Sequence, residues 1–146
     1  MRTLARIALV AMALFVAATA LADAGSSAKR MMRGRLRLPT EVENVEGPGQ
    51  FDPAIFLRMI STRRAALLAC YERALRGDPT LSGSVRARAV LAETGAVEEA
   101  TIIESTVTAA DVGSCVQRIL HGFRFNPGPM GGRVSYTVTF TYAPES

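Results

Sequence analysis

The stretch from 52 to 83, DPAIFLRMISTRRAALLACYERALRGDPTLSG, constrains the fold more than any other part of the chain. It predicts one long helix with both ends marked. The Asp52 carboxylate can accept from amides that have no intrahelical partner, and Pro53 suits the first helical position, where its missing N–H is not needed. Gly77 is expected to take the positive φ that ends a helix, and Pro79 keeps the helix from resuming. Between these marks Ile60, Leu67, Tyr71, Ala74 and Leu75 recur at helical spacing, so one face is apolar. Cys70, one of only two cysteines, lies beside that face.

Such a helix needs a core to pack on. A chain of 146 residues that is 49% hydrophobic and 21% charged has enough apolar mass for one globular domain. The beginning is set apart. Arg2 and Arg6 precede an uncharged apolar run from 7 to 22, which ends in Ala20-Leu21-Ala22 before Asp23. Basic start, apolar centre and A-x-A site are the pattern of a secretory signal peptide over 1–22. The run is short for the ~30 Å of a bilayer core, so no stable membrane span is expected after cleavage. Of 17 Lys plus Arg, loss of Arg2 and Arg6 leaves 15 against 13 Asp plus Glu, a net of +2. That is not the balance of a nucleic-acid-binding protein. The expected location is periplasmic or secreted, where thiols oxidise.

Residues 23–50 read as a linker. It carries a basic arm of Lys29, Arg30, Arg33, Arg35 and Arg37, and a short strand is expected near 34–42, ended or confined to an edge by Pro39. The domain proper is placed at 51–143. After the long helix, Val85, Ala87, Ala89 and Leu91 alternate with Arg86 and Arg88 as a first strand. Val97, Ala100, Ile102 and Ile103 form a second strand whose uneven spacing implies a bulge, after a turn at Glu93-Thr94-Gly95-Ala96. A second helix is expected over 108–121, with Thr108 and Asp111 at capping-box spacing, Val112, Cys115, Val116, Ile119 and Leu120 on its apolar face, and Gly122 after its end. Residues 133–142 alternate most cleanly: Val134, Tyr136, Val138, Phe140 and Tyr142 face one way, and Ser135, Thr137, Thr139 and Thr141 the other, which is expected to be wet. The expected fold is α+β, ordered α-β-β-α-β: a three-stranded antiparallel sheet, strand order 2-1-3, with two helices on one face.

The chemistry offered by this pattern is sparse. Cys70 and Cys115 are too far apart for a C-x-x-C redox site, and no other ligands cluster with them for a metal, so a disulfide joining the two helices is expected. His121, the only histidine, falls in the last turn of a helix, where a cation suits the negative end, and no partner motif marks it as catalytic. Glu98, Glu99 and Glu104 on a half-exposed hairpin read as solvated. No catalytic residues, metal site or cofactor are assigned. The basic arm, Arg30, Arg33, Arg35 and Arg37, is a weak candidate for an anionic envelope surface.

Several short motifs occur in order. They are Cys70-Tyr71-Glu72-Arg73-Ala74-Leu75, Asp78-Pro79-Thr80-Leu81-Ser82-Gly83, Gly95-x-Val97, Ser105, Cys115-Val116, Phe123-Arg124-Phe125 and Gly131-Gly132. Together, over about residues 51–142, they resemble the AgmX/PglI-type C-terminal domain family, which is similar to the TonB C-terminal domain. Phe123 stands where that pattern leads one to expect Trp. The resemblance implies a non-catalytic, protein-binding module of the cell envelope. Some members are linked to gliding motility, a role for which this chain shows only an export signal and a short linker.

The functional expectation is therefore an exported adaptor domain that binds an envelope protein or peptide segment along the open edge of its last strand. Arg133, Ser135, Thr137, Thr139 and Thr141 line that edge, and an unpaired strand offers N–H and C=O groups that an extended segment can complete. A homodimer through the same edge is a variant of this expectation. A small secreted enzyme or enzyme inhibitor is the alternative. On export, Edman sequencing of the mature protein should begin at Asp23; a full-length cytoplasmic form would contradict this.

Overall fold

The computed structural model describes residues 32–145. The expected signal segment 1–22, the start of the linker and Arg30 lie outside the described residues. The elements run β1 Gly34–Arg37, β2 Asn44–Glu46, α1 Pro53–Thr62, α2 Arg64–Leu75, β3 Gly83–Leu91, β4 Val97–Ser105, α3 Ala110–His121 and β5 Val134–Pro144.

The long helix begins where the sequence places it. Asp52 Oδ1 accepts from the Ala54 amide at 2.8 Å, and Pro53 is the first helical residue. It does not run unbroken. Arg63, at φ −102° and ψ 11°, separates α1 from α2. The cause is local: Ser61 Oγ donates to the Leu57 carbonyl and Thr62 Oγ1 to that of Met59, at 3.1 and 2.7 Å. Hydroxyls that bond back to the preceding turn bend a helix. The Arg63 amide then closes a tighter bond to the Ile60 carbonyl at 3.0 Å. Gly77 is not among the residues with positive φ, and α2 ends one residue before Arg76. At α3, Ala109 is the N-cap and no side chain caps the helix, so the Thr108–Asp111 box is not formed.

β4, β3 and β5 lie side by side and antiparallel, the 2-1-3 arrangement read from the sequence. The Gly95 turn, at φ +85°, joins β3 to β4, and the β4 register slips near Glu98 and again near Ile103. The sheet nevertheless has five strands among the described residues, in the order β1-β5-β3-β4, with β2 also on β5. β1 pairs with Thr141–Pro144 and β2 with Ser135–Thr137. From residue 32 on, the segment read as a linker is thus part of the domain. The expected three-stranded sheet and two helices become five strands and three helices.

The Val/Tyr/Phe face of β5 and the Val85, Ala87, Ala89, Leu91 face of β3 carry the core, closed by Phe56, Ile60, Leu67, Tyr71, Val112, Val116 and Leu120 from the helices. β1 belongs to that core. Leu36 is 3% exposed, and Gly34 passes so close to Tyr71 that a Cβ there would sit 2.5 Å from the ring. The disulfide expected from the sequence joins Cys70 on α2 to Cys115 on α3, with Cα atoms 5.8 Å apart. Leu36→Ala should lower stability by about 2–4 kcal/mol in urea unfolding, the cost of a buried leucine. A merely solvated arm would leave the midpoint unchanged.

Candidate interaction surface

Antiparallel pairing sets which side chains share a face. The β5 positions that the sequence assigns to an open edge are not free. Asn44 lies opposite Thr137 and Glu46 opposite Ser135, and the Glu43 amide donates to the Thr137 carbonyl at 2.8 Å. Ser135 and Thr137 are 4% and 3% exposed, so the expected wet row is largely covered. Thr139 donates its hydroxyl to Glu43 Oε1, Thr141 lies opposite Arg37, and Arg133 pairs with Glu98 at 2.9 Å. The expectation of an open β5 edge is therefore corrected. The chain's own arm fills it, because a strand with a buried face and an unpaired edge is completed most cheaply by a segment already tethered nearby.

Helix side chains or distortions protect the remaining edges. On β1, the Gly34 amide donates to Glu72 Oε1 at 3.0 Å, and Arg64 Nη2 donates to the Leu36 carbonyl at 2.8 Å. On β4, two register slips interrupt the ladder, and Gln117 Nε2 from α3 donates to the Ala100 carbonyl at 2.6 Å. Bulges, charges and covering side chains are the usual defences of a sheet edge against added strands. Sequence reading missed Arg64, Glu72 and Gln117 because each sits on a helix, where it looks like ordinary polar surface.

What remains available is the face of the sheet opposite the helices. The register places Arg35 and Arg37 of β1, Thr141 and Thr139 of β5, Ser84, Arg86 and Arg88 of β3, and Glu99, Thr101 and Glu104 of β4 on it. Its middle is neutralised. Arg86 Nε is 2.7 Å from Glu43 Oε2, and Arg88 Nη2 is 3.2 Å from Glu46 Oε2. The Thr139 hydroxyl, and after it Arg86, hold the Glu43 carboxyl below its ordinary range against a penalty from burial. At the two sides charge is left over. Among the described residues Arg35 and Arg37 have no carboxylate within ion-pair distance, and Glu99 and Glu104 have no cation. Glu99 accepts only the Thr101 hydroxyl, at 3.1 Å.

Other candidate groups do not converge. His121 is exposed, with its carbonyl taken by Arg124 Nη1 at 3.0 Å. Among the described residues no group of three or more His, Cys, Asp or Glu is placed to hold a metal. A shallow pocket of about 270 Å³ between α2 and α3 is lined by Cys70, Arg73, Ala74, Asp111 and Arg118, with Arg73 Nη2 2.9 Å from Cys115 Sγ. A second, of about 250 Å³, is lined by Ala92, Glu93, Thr94, Glu98, Gly132 and Arg133. Neither brings His121 to a carboxylate. No helix among the described residues is long and apolar enough to cross a membrane. The chain matches no family model, no curated protein and no solved structure.

Glu43 links the arm to the sheet, and its titration should be visible. A carboxyl whose folded pKa is lowered stabilises the fold above its unfolded pKa and loses that contribution as pH falls through the folded value. The stability difference between the native chain and Glu43→Gln should therefore shrink as pH drops from about 6 to about 3. A difference that does not change over that range would show that Glu43 is not held by Thr139 and Arg86.

Proposed function

We propose that this chain is an exported, non-catalytic interaction domain of the cell envelope, periplasmic or secreted, and that it recognises a partner protein through the helix-free face of its sheet. The observation that carries this reading is the division of surfaces. All three helices among the described residues are committed to the core face, and the sheet edges are filled or guarded. The opposite face retains unneutralised charge on β4, at Glu99 and Glu104, around the exposed Thr101. The export-type start, the Cys70–Cys115 disulfide and the resemblance to AgmX/PglI-type domains support an envelope role. The route of recognition differs from strand addition along β5, and the chemistry of the β4 side fits a partner that presents basic groups.

The test is cross-linked capture of partners from the native envelope by the mature chain. Thr101→Arg puts a long cation in the middle of the acidic side and touches no core residue. Capture should fall by about tenfold, equivalent to ~1.4 kcal/mol. Arg58→Glu, on the exposed side of α1, should leave it unchanged. Equal capture by Thr101→Arg and the native chain would remove the sheet face from consideration.

A further inference from the structure

The arginines of the sheet face fall into two groups. Arg86, Arg88 and Arg133 each have a carboxylate within 3.2 Å. Arg35 and Arg37, on the outermost strand, have none among the described residues, and both are exposed. They are two residues apart on one strand, so their guanidinium stems leave the same face about 7 Å apart. The strand is not a loose arm. Four pairs to β5, the buried Leu36 and the Arg64 and Glu72 contacts hold it. Beside them lie small and hydroxyl side chains: Ala143 opposite Arg35, Thr141 opposite Arg37, and Ser84 opposite Thr141. Arg33, just before the strand, is exposed as well, and in sequence the basic run extends back to Lys29 and Arg30.

We propose that the β1 margin of the domain is a docking surface for the phosphate headgroups of an anionic membrane, on which the domain stands edge-on. The occupant follows from shape and charge. Neither of the two described pockets is lined by Arg35 or Arg37, and both arginines stand exposed on the outermost strand. Two or three guanidiniums on an open margin suit an array of headgroups instead, each to be met by a charge-assisted hydrogen bond. Glu72 and Glu145 face the same margin. Glu72 is engaged by the Gly34 amide, and the Glu145 amide bonds to the Arg33 carbonyl. Against these two carboxylates stand Arg33, Arg35, Arg37 and Arg64, so among the described residues the margin is positive.

The orientation matters because the face also carries acids. Glu99 and Glu104 are on β4, three strand spacings from β1, or about 14 Å. That exceeds the screening length of about 8 Å at physiological salt, so with β1 against the lipid the β4 acids scarcely feel the surface. A domain lying flat would bring them into repulsion. Edge-on docking leaves the β4 side pointing away from the membrane, open to a partner.

The experiment is co-sedimentation of the mature chain with vesicles of phosphatidylcholine alone or with about 30% phosphatidylglycerol. Binding is expected only to the anionic vesicles, and lost at about 0.5 M salt. Arg35→Gln with Arg37→Gln should weaken vesicle binding about thirtyfold, in line with roughly 1 kcal/mol per basic residue at a charged surface. Arg58→Gln with Arg76→Gln changes net charge equally at exposed positions on α1 and just after α2, and should bind as the native chain does. Equal sedimentation with neutral vesicles, or an unaffected Arg35/Arg37 variant, would overturn the proposal. So would release by inorganic phosphate beyond a chloride control of equal ionic strength, which would indicate a discrete phosphate site. Partner capture through Thr101 is read separately, so either reading can fail while the other stands.

Discussion

β5 is hydrogen-bonded along both of its edges, and the rest of the domain is arranged around that fact. On one side it pairs with β3 over nine residues, and on the other it receives β1 and β2. Its inward side chains are large, and two are tyrosines whose hydroxyls need partners once buried. Tyr142 donates to the Leu67 carbonyl of α2 at 3.1 Å, and burial pushes its phenol pKa far up. Tyr136 reaches the Phe51 carbonyl just ahead of α1. The same strand therefore fixes the approach to one helix and the first turn of the next. Tyr71 of α2 stacks on Tyr142 with ring centroids 5.0 Å apart, and its ring in turn leaves room only for a glycine at position 34 of β1. Strand, helix and arm are coupled through two aromatic rings.

The disulfide acts on a different part of this arrangement. α2 and α3 cover the core side of the sheet, and Cys70–Cys115 joins them across 45 residues of chain. Closing such a loop restricts the unfolded ensemble by about 4 kcal/mol in the entropic model, before any strain. It braces the helical layer and leaves the sheet's other face untouched. The two sides of the sheet thereby differ: the helices, core and disulfide lie on one, the charged face on the other.

Closing the edges has a functional consequence. A sheet with an unpaired last strand invites strand addition, whereas this one has used that template internally and guards the others with Glu72, Arg64 and Gln117. What the sheet still presents to solvent is a distribution of charge. The central arginines are matched by Glu43 and Glu46, which the arm itself supplies, so the arm neutralises the middle of the face as it completes the sheet. Among the described residues uncompensated charge stays at the two margins, positive on β1 and negative on β4. Surface pairs of this kind contribute little to stability, so their pattern bears more on what approaches the domain than on how firmly it is folded.

Much of the architecture was legible from local chemistry. Asp52-Pro53 marks a helix start because capping is a matter of adjacent residues. The strict alternation of Val134, Tyr136, Val138, Phe140 and Tyr142 specifies a strand with one buried face. The Gly95 turn and the irregular β4 register also showed in spacing alone, and export chemistry suggested the pairing of Cys70 with Cys115. The break at Arg63 was less visible, since it depends on Ser61 and Thr62 hydroxyls choosing carbonyls over water. The arm's role was not legible. β2 is three exposed residues with no apolar period, and Ser135 and Thr137 are polar residues that lie buried with Asn44 and Glu46 opposite them on one side and Val90 and Arg88 on the other. The sequence by itself determined where the main helical and strand segments lie and which side of each is apolar, because those properties follow from neighbours along the chain. Only the tertiary structure decided how each sheet edge is filled and which arginine has a partner, because both depend on where a distant segment comes to rest.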